Sequence, residues 1–163
     1  MAVPKRRFAR LGVAALLSLA SLAACHDPFV EEAAAASAAK LEVVTVQVAT
    51  SDGKTHRYKA EVARTSEQQA RGLMYRRTMP RDVGMLFPFP VPRAASFWMA
   101  NTYLPLDIIF IAPDGRVLNV GNGVPLSTAT VNSVGEAGAV LELNRGEAER
   151  IGLKPGDRVN WSR

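Results

Sequence analysis

The shortness of its connections constrains this chain more than any other feature. Between residues 40 and 163, turn signals follow one another too closely for a helix to be threaded between every pair of strands. Asp52-Gly53 and Pro113-Asp114-Gly115 each join two β-rich stretches, and Lys154-Pro155-Gly156-Asp157 leads into a last one. Residues 41–50 place Val44, Val46 and Val48 on one face and Thr45 and Gln47 on the other, the period of a strand, and residues 56–63 return as its hairpin partner. Further strands are predicted at 84–87, 95–99, 106–112, 116–121, 139–144 and 158–161. Thr65-Ser66-Glu67-Gln68 has the form of a capping box, so a short helix should run to Gly72. A second short helix is predicted over 146–153. Seven or eight short strands with two short helices predict an α+β domain, mainly antiparallel and curled into a small barrel-like sheet. The connections are too short for repeated βαβ crossovers.

The first 39 residues have a different character. Residues 1–10 carry Lys5, Arg6, Arg7 and Arg10 without an acid, and residues 11–24 are small and apolar. These are the two leading parts of a secretory signal, too short to cross a bilayer comfortably. Leu22-Ala23-Ala24-Cys25 follows at once and has the pattern of a lipobox, in which Cys25 is acylated and becomes the first residue of the mature chain. Cys25 is the one cysteine of the sequence, and an unpaired cysteine in an exported protein calls for such an explanation. Three segments are therefore expected: a lipoprotein signal peptide (1–24), a lipidated Cys25 with an Ala-rich flexible tether (25–39), and one domain (40–163). His26 after the cysteine favours the periplasmic face of the outer membrane.

Removal of the signal also changes the charge. The 163-residue chain has 20 Lys and Arg against 15 Asp and Glu, a net of +5. Without the four basic residues of 1–24, 16 face 15, so the basic pI gives no support to a nucleic-acid partner.

The richest stretch for a site is Ser96-Phe97-Trp98-Met99-Ala100-Asn101-Thr102, followed by Leu106-Asp107-Ile108-Ile109-Phe110-Ile111. The second segment is apolar on both faces. Leu106, Ile108 and Phe110 point one way; Asp107 shares the other with Ile109 and Ile111. A lone carboxylate on an apolar face must be paired, hydrogen-bonded or protonated. Two readings stand. In one, Asp107 takes hydrogen bonds from the preceding loop, while Phe97 and Trp98 fill the core. In the other, Arg71, Trp98, Asn101, Thr102 and Asp107 line a pocket, with Arg71 and Asp107 paired across it. A pairing of Asp107 with Glu142 as general acid and base is conceivable, but Glu142, between Leu141 and Leu143, is expected to face solvent.

Several blocks then stand in a recognisable order: Arg71-Gly72-Leu73-Met74, Gly84-Met85-Leu86-Phe87, Phe97-Trp98-Met99-Ala100-Asn101-Thr102, Pro105-Leu106-Asp107-Ile108-Ile109-Phe110, and Val140-Leu141-Glu142-Leu143 with Gly146 and Gly156-Asp157. In combination they resemble the domain of unknown function 192 family over roughly residues 42 to 162. The resemblance implies a compact β-rich fold in a small, often exported protein, and it brings no established activity. Residues 125–138 depart from the family's pattern, which often has a Cys- and Pro-rich stretch there.

The expectation is a lipid-anchored envelope protein that binds a small ligand or an envelope partner through Arg71, Trp98, Asn101, Thr102 and Asp107. The alternative is a hydrolase-like envelope enzyme using Asp107 as general acid or base. A third reading has Met74, Met85 and Met99 bind Cu(I) through soft thioethers, against the plainer view that they fill gaps in the core. Two histidines and one acylated cysteine give no basis for a zinc site or a cysteine nucleophile. His56, on a hairpin strand, is poorly placed for a Ser-His-acid set. No phosphate-binding glycine loop is present, and no cofactor is expected.

Overall fold

The computed structural model describes residues 40–162. The segments expected as signal peptide, lipidated Cys25 and tether lie outside the described residues. Seven strands and two short helices follow in the order β1 (Val43–Ala49), β2 (Thr55–Val62), α1 (Ser66–Arg71), β3 (Val83–Phe97), β4 (Leu106–Ile111), β5 (Val117–Gly123), β6 (Val131–Asn144), α2 (Glu147–Arg150) and β7 (Arg158–Trp161). They form one sheet in the order β5-β4-β6-β3-β2-β1-β7. The sheet curls until its two edges approach. Arg116, at the start of β5, bridges Arg158 of β7, and Val117 N–H donates to the Asp157 carbonyl at 2.8 Å. The result is a half-barrel whose edge strands meet at one end, which removes part of the open edge that a seven-stranded sheet would otherwise expose.

Most of the predicted elements are present, and the differences have identifiable causes. All strand pairs are antiparallel except β2–β3, which run parallel with α1 as their crossover. The capping box forms as expected: Gln68 N–H donates to Thr65 Oγ1 at 3.2 Å and Thr65 N–H to Gln68 Oε1 at 3.0 Å. The second helix is only one turn long. Residues 84–87 and 95–99, expected as separate strands, belong to the single long β3. Pro88, Pro90 and Pro92 do not break it, because β2 pairs with β3 only as far as Leu86 and the β3–β6 register shifts between Pro88 and Arg93. An unpaired edge and a bulge are the places where a strand tolerates proline. β6 likewise begins at Val131, eight residues before the strand expected at 139. The added stretch is polar and Gly-containing, so it carries little β signal of its own.

The sheet is buried on both faces. Inside the curl, Val44, Val46, Val48, Tyr58, Ile109 and Leu141 form one core with their neighbours. On the convex face, Met85, Phe87, Met99, Leu106, Ile108 and Phe110 form a second, covered by α1 and the segments around Leu73 and Leu104. Phe97 stands edge-on to Phe87 at 5.2 Å and to Phe110 at 6.1 Å, a favoured aromatic geometry. All six residues of β4 are buried, which accounts for the two-sided apolar pattern of LDIIFI.

Strand β3 can approach β6 closely only because residue 84 lacks a side chain. A Cβ at Gly84 would stand 2.4 Å from the Glu142 carbonyl oxygen and 2.7 Å from Leu143 Cδ2. Gly84→Ala is expected to lose about 2–4 kcal/mol in urea unfolding, as overpacking against backbone does. Gly135→Ala, whose Cβ would meet nothing closer than Leu118 Cδ2 at 3.8 Å, should change stability by less than about 0.5 kcal/mol.

Candidate functional site

Three loops meet at one end of the convex face: the segment after α1, the β3–β4 loop and the β5–β6 loop. Backbone hydrogen bonds tie them together. Tyr75 N–H donates to the Asn101 carbonyl at 2.8 Å, Leu126 N–H to the Thr102 carbonyl at 3.0 Å, and Met99 N–H to the Ser127 carbonyl at 2.9 Å. Among the described residues, the non-glycine positions with positive φ are Tyr75 (66°), Asn101 (57°) and Leu126 (61°), one in each loop. Asn tolerates this conformation; for Tyr and Leu it is unusual and costs free energy. Strain held at one spot by three interlocked loops is characteristic of binding and catalytic sites. The same rim exposes Tyr75, Trp98, Tyr103, Val124 and Leu126, with the Arg77 guanidinium 4.7 Å above the Tyr103 ring.

Beside this rim lies an open cavity of about 360 Å³. α1 lends Ser66, Gln69 and Arg71 to its wall, β3 lends Arg93 and Ser96, and Trp98 and Thr102 come from the β3–β4 loop. Glu142 of β6 also lines it. Glu142 is 5% exposed, and no hydrogen bond or ion pair holds its carboxyl among the described residues. In the sheet it sits directly between Met85 of β3 and Ile108 of β4. With apolar neighbours on both flanking strands, burial pushes its pKa up to about 8. At neutral pH it is therefore mostly a neutral acid, a hydrogen-bond donor aimed into an open cavity. A buried titratable group with neither counter-charge nor hydrogen bond is uncommon outside functional sites.

Three of the residues expected at a site, Arg71, Trp98 and Thr102, line this cavity together. Asn101 lies beside it, its side-chain amide 4.0 Å from the Met74 sulfur, and its αL backbone sets the turn of the rim. Thr102 Oγ1 is engaged by the Ala100 carbonyl at 3.3 Å. Asp107 is elsewhere. It pairs with Leu143 in the β4–β6 register, whereas Ile108 pairs with Glu142, so Asp107 and Glu142 project from opposite faces and cannot act as an acid–base couple.

Asp107 is 4% exposed and has a structural task that the sequence hinted at. α2 begins at Gly146, whose φ of 87° demands a residue without a side chain and leaves the helix without a cap of its own. Asp107 supplies the missing acceptor from β4: Ala148 N–H donates to Asp107 Oδ2 at 2.8 Å. The cation beside it is Arg145, not Arg71, with Nε 3.7 Å from Oδ1. Arg145 also donates to the Leu106 and Gly123 carbonyls. The reading in which Asp107 is satisfied by local hydrogen bonds is thus correct in kind, although the donor belongs to α2 and not to the preceding loop. Next to it, Glu147 is gripped by Arg150, Arg81 and the Tyr58 hydroxyl, which hold its pKa down to about 2.

Glu142 was expected at the surface and is in the core. The apolar residues on either side face the inner curl, and alternation then assigns Glu142 to solvent. What alternation omits is that this sheet has a second covered face. A signal was available: Val140 shares a face with Glu142, so residues 139–143, like LDIIFI, are apolar on both faces around a single acid. Met85 and Met99 are fully buried in the convex core, Met99 against Gly123, while Met74 lines the cavity. Among the described residues no group of three His, Cys, Asp or Glu could hold a metal ion.

This architecture defines a small β half-barrel with a polar, strained, aromatic-rimmed cavity on its convex face. The chain belongs to the DUF192 family, described as an uncharacterised ACR, whose profile matches residues 47–161. Two solved structures are similar. A candidate transcription regulator from Sinorhizobium meliloti 1021 is 44% identical, with a TM-score of 0.73, over 76% of this chain and 96% of that one. A protein of unknown function from Novosphingobium aromaticivorans DSM 12444 is 46% identical, with a TM-score of 0.72, over 74% of this chain and 86% of that one. Among curated proteins none matches the chain.

Two substitutions test these roles. Asp107→Ala should cost about 2–3 kcal/mol in urea unfolding, because it leaves a helix N–H without its acceptor and Arg145 without its anion; Asp107→Asn, which keeps an acceptor, should cost less than half of that. For Glu142 the sign runs the other way. Its folded pKa is raised from 4.5 to about 8, so the unfolded chain loses this proton first and stability falls as pH rises between those values, by at most about 1.4 kcal/mol per pH unit. Glu142→Gln should flatten that slope and make the protein more stable than wild type near the upper end of the window.

Proposed function

We propose that this protein is an envelope-anchored binding module that takes a small ligand into the cavity formed by Arg71, Trp98, Thr102 and Glu142, with Asn101 shaping its rim. The observation that carries the reading is Glu142, a buried and unpartnered carboxylic acid exposed only to that cavity. A ligand that accepts a hydrogen bond from it would satisfy a group the fold leaves unsatisfied. Trp98, 55% exposed at the mouth, offers a flat apolar surface to a ring. The strained backbone at Tyr75, Asn101 and Leu126 supports the same reading, since it holds the mouth in a conformation the loops would not adopt alone.

The location follows from the N-terminal sequence: a basic and apolar signal, then Cys25 in a lipobox context, then an Ala-rich tether. Acylation of Cys25 would hold the domain at a membrane surface, the outer membrane by its His26, with the cavity open to the periplasm. The designation of the Sinorhizobium relative as a regulator of transcription is not carried to this chain, because 16 basic against 15 acidic residues after the signal give no electrostatic footprint for DNA.

An enzyme is the second reading. A carboxylic acid pushed up to about 8 by burial is suited to general acid catalysis. Its role would fall to Glu142, since Asp107 caps a helix on the other face. The described residues lining the cavity offer Glu142 no second carboxylate and no histidine, whereas glycoside hydrolysis ordinarily needs two carboxylates. Binding is the simpler use of this geometry.

Thermal unfolding against sugars, organic acids, nucleotides, lipids and Cu(I) tests the module. A ligand at one hundred times its Kd adds about 2.7 kcal/mol, a Tm shift of several degrees. The shift should vanish in Trp98→Ala and Glu142→Ala and persist in Asp107→Asn. A shift lost on Met74→Leu alone, and only for Cu(I), would favour the metal reading. The anchor has its own test: Cys25→Ala should abolish incorporation of labelled fatty acid and release the protein from the membrane fraction, and unchanged membrane association would remove the lipoprotein assignment.

A further inference from the structure

The walls of the cavity narrow its ligand chemistry. The full charges on them are two guanidinium groups, Arg71 from α1 and Arg93 from β3. Arg93 is held in place by the Phe89 ring, 4.2 Å beneath it. From the remaining elements, β4 presents Ile108 next to Glu142, β3 presents Met85, and the β3–β4 loop presents Trp98 and Thr102. No second acid lines the space among the described residues. We propose that the ligand is a small organic oxyanion, a carboxylate or phosphate carried on a ring, that enters this arginine-bearing cavity and takes a hydrogen bond from the Glu142 carboxyl while its ring stacks on Trp98. The proposal rests on the binding reading above and names the ligand class of that same site.

The physical argument is complementarity of state. Were Glu142 ionised, the site would suit a cation, and the guanidinium groups would oppose it. Burial without a counter-charge keeps Glu142 neutral, so it offers a cation no charge and donates a hydrogen bond, most strongly to an anionic acceptor. Glu142 and the two arginines line one open space of about 360 Å³. An oxyanion filling it would meet a cation on one side and a donor on the other, both charge-assisted hydrogen bonds. Bound anion and ionised Glu142 exclude one another, so affinity is coupled to the Glu142 proton. It should be constant well below pH 8 and fall about tenfold per unit above it.

Matched pairs of probes that differ mainly in charge test this: benzoate against benzamide and glucuronate against glucose, titrated by NMR on the purified protein from slightly acidic to alkaline pH. The expected result is that the anion of at least one pair binds at least tenfold more tightly than its neutral partner. The affinity should fall above pH 8, and Glu142→Gln, which keeps a donor but cannot ionise, should bind with no such fall. Arg93→Gln should weaken the anion by roughly tenfold and leave the neutral probe unchanged. Binding of the neutral probes alone would overturn the oxyanion assignment and leave the module reading intact. Anion binding with the same pH profile in wild type and Glu142→Gln would overturn the role of the Glu142 proton. No binding by any probe, with resonances of the cavity residues unmoved, would overturn both.

Discussion

Everything in this fold depends on a sheet that is buried on both sides. β4 and the second half of β6 are neighbouring interior strands of it, and both of their faces are buried. One face packs into the inner curl, the other beneath α1 and the loops that follow it. Each buried apolar side chain there contributes on the order of 1.5–3 kcal/mol relative to exposure, and removing either cover would forfeit much of that. A half-barrel with one covered face could be built from simple hairpins. The second layer is what creates a roofed space on the convex side, and the cavity is the part of that space that side chains do not fill.

The two acids of these buried strands show how differently one residue class can be used in such a setting. Asp107 projects into the inner side, where α2 starts without a cap and Arg145 is close. Its charge is paired and hydrogen-bonded, and it joins β4 to the helix after β6. Glu142, one register position away on the neighbouring strand, projects to the other side and finds neither donor nor cation. It is kept neutral by its surroundings at a cost in stability that grows toward alkaline pH. A fold that needed only packing there would be better served by a leucine. The strained loops nearby have the same character, since Tyr75 and Leu126 hold a conformation that their side chains disfavour. The cost of both falls in one place, next to an exposed tryptophan and two arginines.

Much of this organisation is legible in the sequence because it is local. The hairpin at Asp52-Gly53, the capping box at Thr65, the turn at Pro113-Asp114-Gly115 and the last strand all follow from neighbours within a few residues. The long β3 was not legible, because whether Pro88, Pro90 and Pro92 end a strand depends on whether a partner occupies that edge. The first half of β6 was not legible either, since its polar residues take their strand conformation from β3. Arg71, Trp98 and Thr102 could be singled out as a group from their chemistry, and they do share a cavity; the partner of Asp107 could not, because Arg145 reaches it through a pairing 38 residues distant in sequence.

The sequence by itself therefore determined the first hairpin, the capped α1, the turns and the two-sided apolar strand with an acid in it, all of which are encoded in adjacent side chains and their period. Only the tertiary structure decided which acid is a cap and which is a lone donor. Period-two alternation places a residue on one face or the other, but it cannot say what covers that face. Here α1 and three interlocked loops cover the convex side, and that cover turns Glu142 from an expected surface residue into the floor of the candidate site.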